Sequence, residues 1–159
     1  MRLLLILLMS IVIVTGCSSA PPAEGDAAPN FSLQTMTDDT LNLADYKGQR
    51  VMLNFWATWC GPCREELPHM QQVYAAQSDA AVIALNMTDQ DYGTERIEAF
   101  IEEFSLTFPI PLDETGDVAK QYGVITIPTT FFIDEEGHIT DKVSGPLTAA
   151  QIDAYMGNK

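Results

Sequence analysis

The chain has 159 residues, 47% hydrophobic and 19% charged, the balance of one globular domain rather than of a disordered segment. Eight basic residues against 22 acidic ones leave a formal net charge of −14. Such a surface repels phosphate backbones and anionic headgroups, which argues against nucleic acid or a polybasic membrane patch. The three cysteines, at 17, 60 and 63, are too few for a disulfide-stapled miniprotein.

Arg2 is the only charge before Glu24, and Leu3 to Val14 is apolar except for Ser10. A charged start with a short apolar run reads as a signal peptide over residues 1–16. Its twelve apolar-run residues rise only ~18 Å as a helix, against a bilayer core of ~30 Å. The run ends Val14-Thr15-Gly16-Cys17, which resembles the bacterial lipobox. That resemblance implies cleavage before Cys17 and a diacylglyceryl group on its sulfur, which removes Cys17 from redox chemistry. Two acyl chains hold a protein on a membrane where one does not. Residues 17–28, rich in Ser, Ala, Pro and Gly, read as a flexible lipid-anchored linker, and a folded domain is expected over 29–159.

Phe31-Ser32-Leu33-Gln34 and Leu41-Asn42-Leu43 alternate apolar and polar residues around a Thr37-Asp38-Asp39-Thr40 turn, which predicts a β-hairpin. Val51 to Trp56 and Ala80 to Asn86 are mostly apolar runs, as in strands buried on both faces. A helix is expected from about Pro62 to Gln77. Ile97, Phe100, Ile101 and Phe104 follow i, i+3, i+4, i+7 spacing and predict an amphipathic helix over Thr94 to Phe104. The two prolines of Phe108 to Leu112 confine that piece to an edge or a loop. Gly116 to Tyr122 reads as a short helix closed by Gly123. Thr129 to Ile133 and His138 to Val143 read as strands joined by a turn with Gly137, and Thr148 caps a last helix reaching Met156. Together these predict an α/β domain, with helices on both faces of a mixed sheet.

The chemistry concentrates in Cys60-Gly61-Pro62-Cys63, between an apolar strand and a helix. Cys60 falls at the helix start, where free N–H groups and the helix dipole favour a thiolate, the attacking species in disulfide exchange. Cys63 lies one turn further in, close enough in i, i+3 spacing to form a redox disulfide with Cys60, and is suited to resolve a mixed disulfide. Zinc would need a second ligand pair, and His69 and His138 are the only imidazoles. Haem attachment would need His after Cys63, where Arg64 stands. An inert disulfide is the remaining alternative, and a strand-to-helix corner in an exported α/β chain favours redox chemistry over it.

Trp59-Cys60-Gly61-Pro62-Cys63 matches the active-site motif of thioredoxins. The wider string from Asn54 to Pro68, with Ala28 to Leu33, Tyr46-Lys47-Gly48 and Thr126 to Asp134, resembles the TlpA/ResA branch of membrane-anchored thiol–disulfide oxidoreductases. The resemblance implies a thioredoxin-like fold, a central mixed β-sheet flanked by helices with an N-terminal β-hairpin and an inserted helix. It implies that Pro128 is a cis-proline facing the dithiol and that the Ile127 backbone pairs with an extended client near Cys60. Trp59, Gly61 and Pro62 would shape the docking surface, Pro68 would kink the helix, and Trp56 is core. No metal or other cofactor is implied. The implied partners are protein disulfides, including apocytochrome c, and a membrane thiol-electron donor of the CcdA/DsbD type. The implied setting is the extracytoplasmic side of a bacterial membrane, as a monomer.

Thioredoxin carries a buried aspartate where this chain has Asn54, so another group must take the resolving thiol's proton. Glu66, one turn after Cys63, matches a glutamate that ResA-like proteins place near the dithiol; it is either that base or a solvated surface residue. Arg64 either favours the thiolate or is a surface charge. Gly61-Pro62 is the pair of reducing thioredoxins, which favours reduction. A peroxiredoxin-like peroxidase would need Thr where Ala57 stands. A Sco-like copper chaperone would space its cysteines by three residues rather than two.

Overall fold

The computed structural model describes residues 20–76 and 80–156. The two apolar runs become β3 (Arg50–Trp56) and β4 (Ala80–Asn86), which pair in parallel along their whole length. A parallel pair needs a crossover, supplied here by α1 (Gly61–Ala76). β5 (Thr129–Ile133) and β6 (Ile139–Ser144) add antiparallel strands, giving the order β4-β3-β5-β6. The sheet is therefore mixed, as the sequence leads one to expect. β1 (Ser32–Gln34) and β2 (Thr40–Asn42) form the separate hairpin.

Side chains alternate across the sheet. Met52 and Trp56 of β3 and Phe132 of β5 pack with α1, with α2 (Thr94–Phe104) and with α4 (Ala149–Met156). Val51, Leu53 and Phe55, with Phe131 and Ile133, pack on the opposite face with the hairpin and with α3 (Asp117–Gln121). That second face centres on Tyr122, whose ring lies 5.0–6.4 Å from those of Phe31, Phe55 and Phe131. The Phe108–Leu112 piece runs beside β4, where the carbonyls of Pro109 and Pro111 accept from Ala84 N and Asn86 N. A proline can offer only its carbonyl to a ladder, which is why it is confined to an edge.

The linker expected over 17–28 is held at its C-terminal end. Residues 25–28 are not a free tether: Gly25 N donates to Ile139 O, Ile139 N to Asp26 O, and Ala28 N to Gly137 O, at 2.8–2.9 Å. Ala27 bridges His138 in antiparallel fashion. This pairing extends the sheet beyond β6, and it uses only backbone groups, so side-chain composition gives no sign of it. Pro21 is also seated. A Cβ built on Gly123, at φ +61°, would come within 2.4 Å of the Pro21 ring. The signal peptide expected over 1–16 and the lipidation expected at Cys17 fall outside the described residues.

Candidate active site

The redox loop leaves the end of β3 as Ala57-Thr58-Trp59-Cys60 and enters α1. Cys60 caps the helix: its Sγ accepts from Cys63 N at 3.2 Å. In most helices a hydroxyl or carboxylate oxygen fills this position. Here the group being stabilised is a sulfur, and a donor aimed at it favours its negative form once the bond is open. Cys60 and Cys63 are joined as a disulfide, S–S 2.04 Å. Both are buried, Cys63 completely, while Gly61 and Pro62 are exposed between them.

Trp59 is 47% exposed, and its indole Nε1 donates to Gln90 O at 2.8 Å. The same loop supplies Asp91, whose carboxylate accepts from Thr58 N and Asn86 Nδ2, both at 2.8 Å, and from Thr58 Oγ1 and Tyr92 N. The Cys60 approach is thus braced by the segment after β4. Ile127–Pro128 is a cis peptide bond. The register Phe55↔Thr129 carries Pro128 to the end of β3, beside the start of the redox loop. Ile127 is half-buried there, and Pro128 O accepts from Gly145 N.

Glu66 is 1% exposed, so the surface alternative does not hold. Its Oε1 accepts from Asn54 Nδ2 at 2.8 Å and its Oε2 from Leu147 N at 2.9 Å. Burial pushes its pKa up to about 7, against the opposing pull of the Leu147 amide and the Thr130 hydroxyl. A carboxyl poised near neutrality one turn from Cys63 can accept and return a proton. Arg64 turns away from this chemistry: it meets Glu103 at 2.6 Å and lies 4.9–5.1 Å from the Phe100 and Phe104 ring centres, tying α1 to α2. His69 and His138 are exposed, and Pro68 lies inside α1.

The structure therefore gathers Cys60 at the cap of α1 and Cys63 and Glu66 within it, with Trp59 before it and Ile127–Pro128 at the adjoining strand end. The sequence reading missed Thr130, Leu147 and Asp91 as partners. Asn54 carries a visible signal, a lone polar residue within an apolar strand, but the sequence by itself marks it only as a group that cannot titrate. Asp91 had no local signal, being one acid among 22. Among the described residues no group of three His, Cys, Asp or Glu side chains could hold a metal ion.

Comparison with known proteins bears on this arrangement. The AhpC/TSA family model matches residues 24–142. The chain is 41% identical over 141 residues to thiol-disulfide oxidoreductase ResA of Oceanobacillus iheyensis, covering 84% of this chain and 71% of that one. It is 36% identical over 156 residues to sporulation thiol-disulfide oxidoreductase A of Bacillus subtilis, covering 95% and 94%. The crystal structure of StoA from Bacillus subtilis superposes with a TM-score of 0.72 at 35% identity, over 80% of this chain and 96% of that one. With a dithiol capping a helix at the end of a central strand, the chain belongs to the AhpC/TSA family, among its thiol–disulfide oxidoreductases of thioredoxin-like fold.

Proposed function

We propose that this oxidoreductase reduces disulfides in exported proteins, working outside the cytoplasm on a lipid tether at Cys17. The observation that carries the chemistry is the Cys60 sulfur, held at a helix N-terminus under the Cys63 N–H with Glu66 buried one turn beyond. In the reduced protein, the Cys60 thiolate attacks a client disulfide. One client sulfur leaves as thiolate, and a Cys60–client mixed disulfide forms. Glu66 takes the Cys63 proton, and the Cys63 thiolate attacks Cys60 Sγ. The second client sulfur is released, and the Cys60–Cys63 bond closes. Two electrons have then passed to the client. A membrane dithiol of the CcdA/DsbD type returns them, a partner assigned on family resemblance, as is apocytochrome c among the clients. Trp59, Gly61 and Pro62 form the docking rim, and the Ile127 backbone beside Pro128 pairs with the client's extended chain.

Insulin reduction with supplied reductant tests the reading. Cys60→Ser abolishes turnover, and Cys63→Ser accumulates the mixed disulfide with client proteins. Turnover retained in Cys60→Ser would sink the mechanism. The anchor, supported by Val14-Thr15-Gly16-Cys17, is tested by fractionation: Cys17→Ser leaves the protein unprocessed or free of the membrane. An unmodified Cys17 on processed wild-type protein, seen by mass spectrometry, would refute it.

A further inference from the structure

Asn54 occupies the middle of β3, 1% exposed, on the sheet face that carries Met52 and Trp56 and meets α1. Its register partner is Thr130 of β5. Both protons of its amide are used, one on Glu66 Oε1 at 2.8 Å and one on Thr130 Oγ1 at 2.9 Å. Its Oδ1 is buried with no hydrogen-bond partner. An unpaired buried carbonyl costs on the order of 1–3 kcal/mol, set here against the two bonds that the amide nitrogen makes. The amide thus keeps one polar atom idle in the core while it holds the Glu66 carboxyl and the Thr130 hydroxyl.

An amide has what neither an aspartate nor a leucine has: a donor and an acceptor of nearly the same shape, exchanged by a half-turn. With Glu66 ionised, Nδ2 faces the carboxylate, as observed, and Oδ1 is idle. With Glu66 protonated, its O–H needs an acceptor. The half-turned amide presents Oδ1 to it, and the Thr130 hydroxyl then donates to the same oxygen. One atom of the amide is idle in either state, and neither state leaves Glu66 unpaired. We propose that Asn54 is the positioning residue for Glu66, its amide donating to the carboxylate and, turned over, accepting from the carboxylic acid, so that Glu66 takes up and returns a proton without moving. This rests on Glu66 being the proton acceptor for Cys63.

The groups turned toward Glu66 from the packed elements are the Asn54 amide of β3, the Thr130 hydroxyl of β5 and the Leu147 N–H before α4, none of them charged. On its own helix, Cys63 is one turn back, Glu65 and His69 are exposed, and Arg64 is paired with Glu103. In the disulfide form neither cysteine titrates, so that form isolates the pair.

The experiment is a pH titration by NMR of the oxidised full-length protein in detergent, following the Glu66 carboxyl carbon and the Asn54 side-chain amide. The amide protons are expected to shift with the same midpoint as the carboxyl, and their contact with the Thr130 side chain is expected to be lost on the acid side. In Asn54→Leu the Glu66 midpoint rises by about one unit, a tenfold weaker ionisation, because the lost bond to the carboxylate is charge-assisted and stronger than the lost bond to the acid. The pH profile of mixed-disulfide release moves by the same amount. A fixed Asn54 that only donates would keep its amide contact with Thr130 through the Glu66 titration, which would overturn the proposal. Amide signals that ignore the Glu66 titration would overturn the proposal on wild-type protein alone, whether or not the variant folds. The underlying reading fails in a different measurement, an unchanged release rate in Glu66→Gln.

Discussion

Among the described residues two carboxyl groups are buried, one beside the dithiol and one under α3, and they do different things. Glu66 is 1% exposed and Asp113 fully buried. Desolvation raises the pKa of both. Asp113 gives its two oxygens to Val118 N and Ala119 N, the first turn of α3, which are backbone donors with no other possible orientation. Glu66 has one such donor, Leu147 N, and otherwise faces an amide and a hydroxyl that can each either give or take a hydrogen bond. A buried acid is therefore not a site in itself. Its partners decide whether it caps a helix in one charge state or can work in two, and only Glu66 lies one turn from a dithiol.

The largest expected effect separates the two regions outright. Cys60→Ser removes the nucleophile, so insulin reduction falls to background while urea denaturation still shows a folded domain. A folded Asp113→Ala protein, by contrast, keeps its rate per folded molecule. Equal loss of turnover in both variants would erase the distinction.

Glu66→Gln comes next. It keeps the shape and the buried site but removes the base, so release from mixed disulfides slows, on the order of tenfold to hundredfold in stopped-flow measurements. Loss of the nearby negative charge also lowers the apparent thiol pKa, read from thiolate absorbance. The same variant sharpens the comparison through stability. The folded Glu66 holds its proton to about pH 7 and the unfolded one only to about 4.5. Between those values the folded state binds more protons, so wild-type stability falls as pH rises through that window. Glu66→Gln is expected to flatten this fall, which amounts to at most about 3 kcal/mol. An identical slope in the two proteins would mean that Glu66 titrates normally.

Asp113→Ala is the smaller, structural counterpart. It strands the Val118 and Ala119 N–H groups and is expected to cost about 1–3 kcal/mol, measured as a lower urea midpoint at unchanged m-value. Smallest is Asp91→Asn, which keeps an acceptor for Thr58 N but weakens it. A loss of about 1 kcal/mol or less is expected, with a change in Trp59 fluorescence, because Gln90 and Asp91 hold the redox loop together. No fluorescence change would show that Trp59 is positioned without that brace.

Much of the fold is legible in the sequence. β3 and β4 follow from unbroken apolar runs, α2 from its 3.6-residue stripe, and the proline-bearing piece from what proline cannot donate. The candidate site was half legible. Cys60 and Cys63 declare themselves by spacing and by their place at a strand-to-helix corner. Glu66 stayed undecided between base and surface because helix position alone does not say what covers that face. The pairing of residues 25–28 with 137–139 is not legible in the sequence because it runs through backbone atoms, which every composition shares.

What the sequence determined by itself is local: which segments are strands or helices, where the helix begins, and which sulfur caps it. Those depend on side-chain period and on neighbours within a turn, and the chain order contains both. Tertiary structure alone decided the environment of Glu66. The Leu147 amide lies 81 residues away along the chain, and Asn54 meets Thr130 across 76. The register of β3 on β5, with Asn54 and Thr130 on the face toward α1, brings these groups together. A pKa near neutrality is a property of that closed, water-poor enclosure rather than of the glutamate, so it exists only once the chain has folded around it.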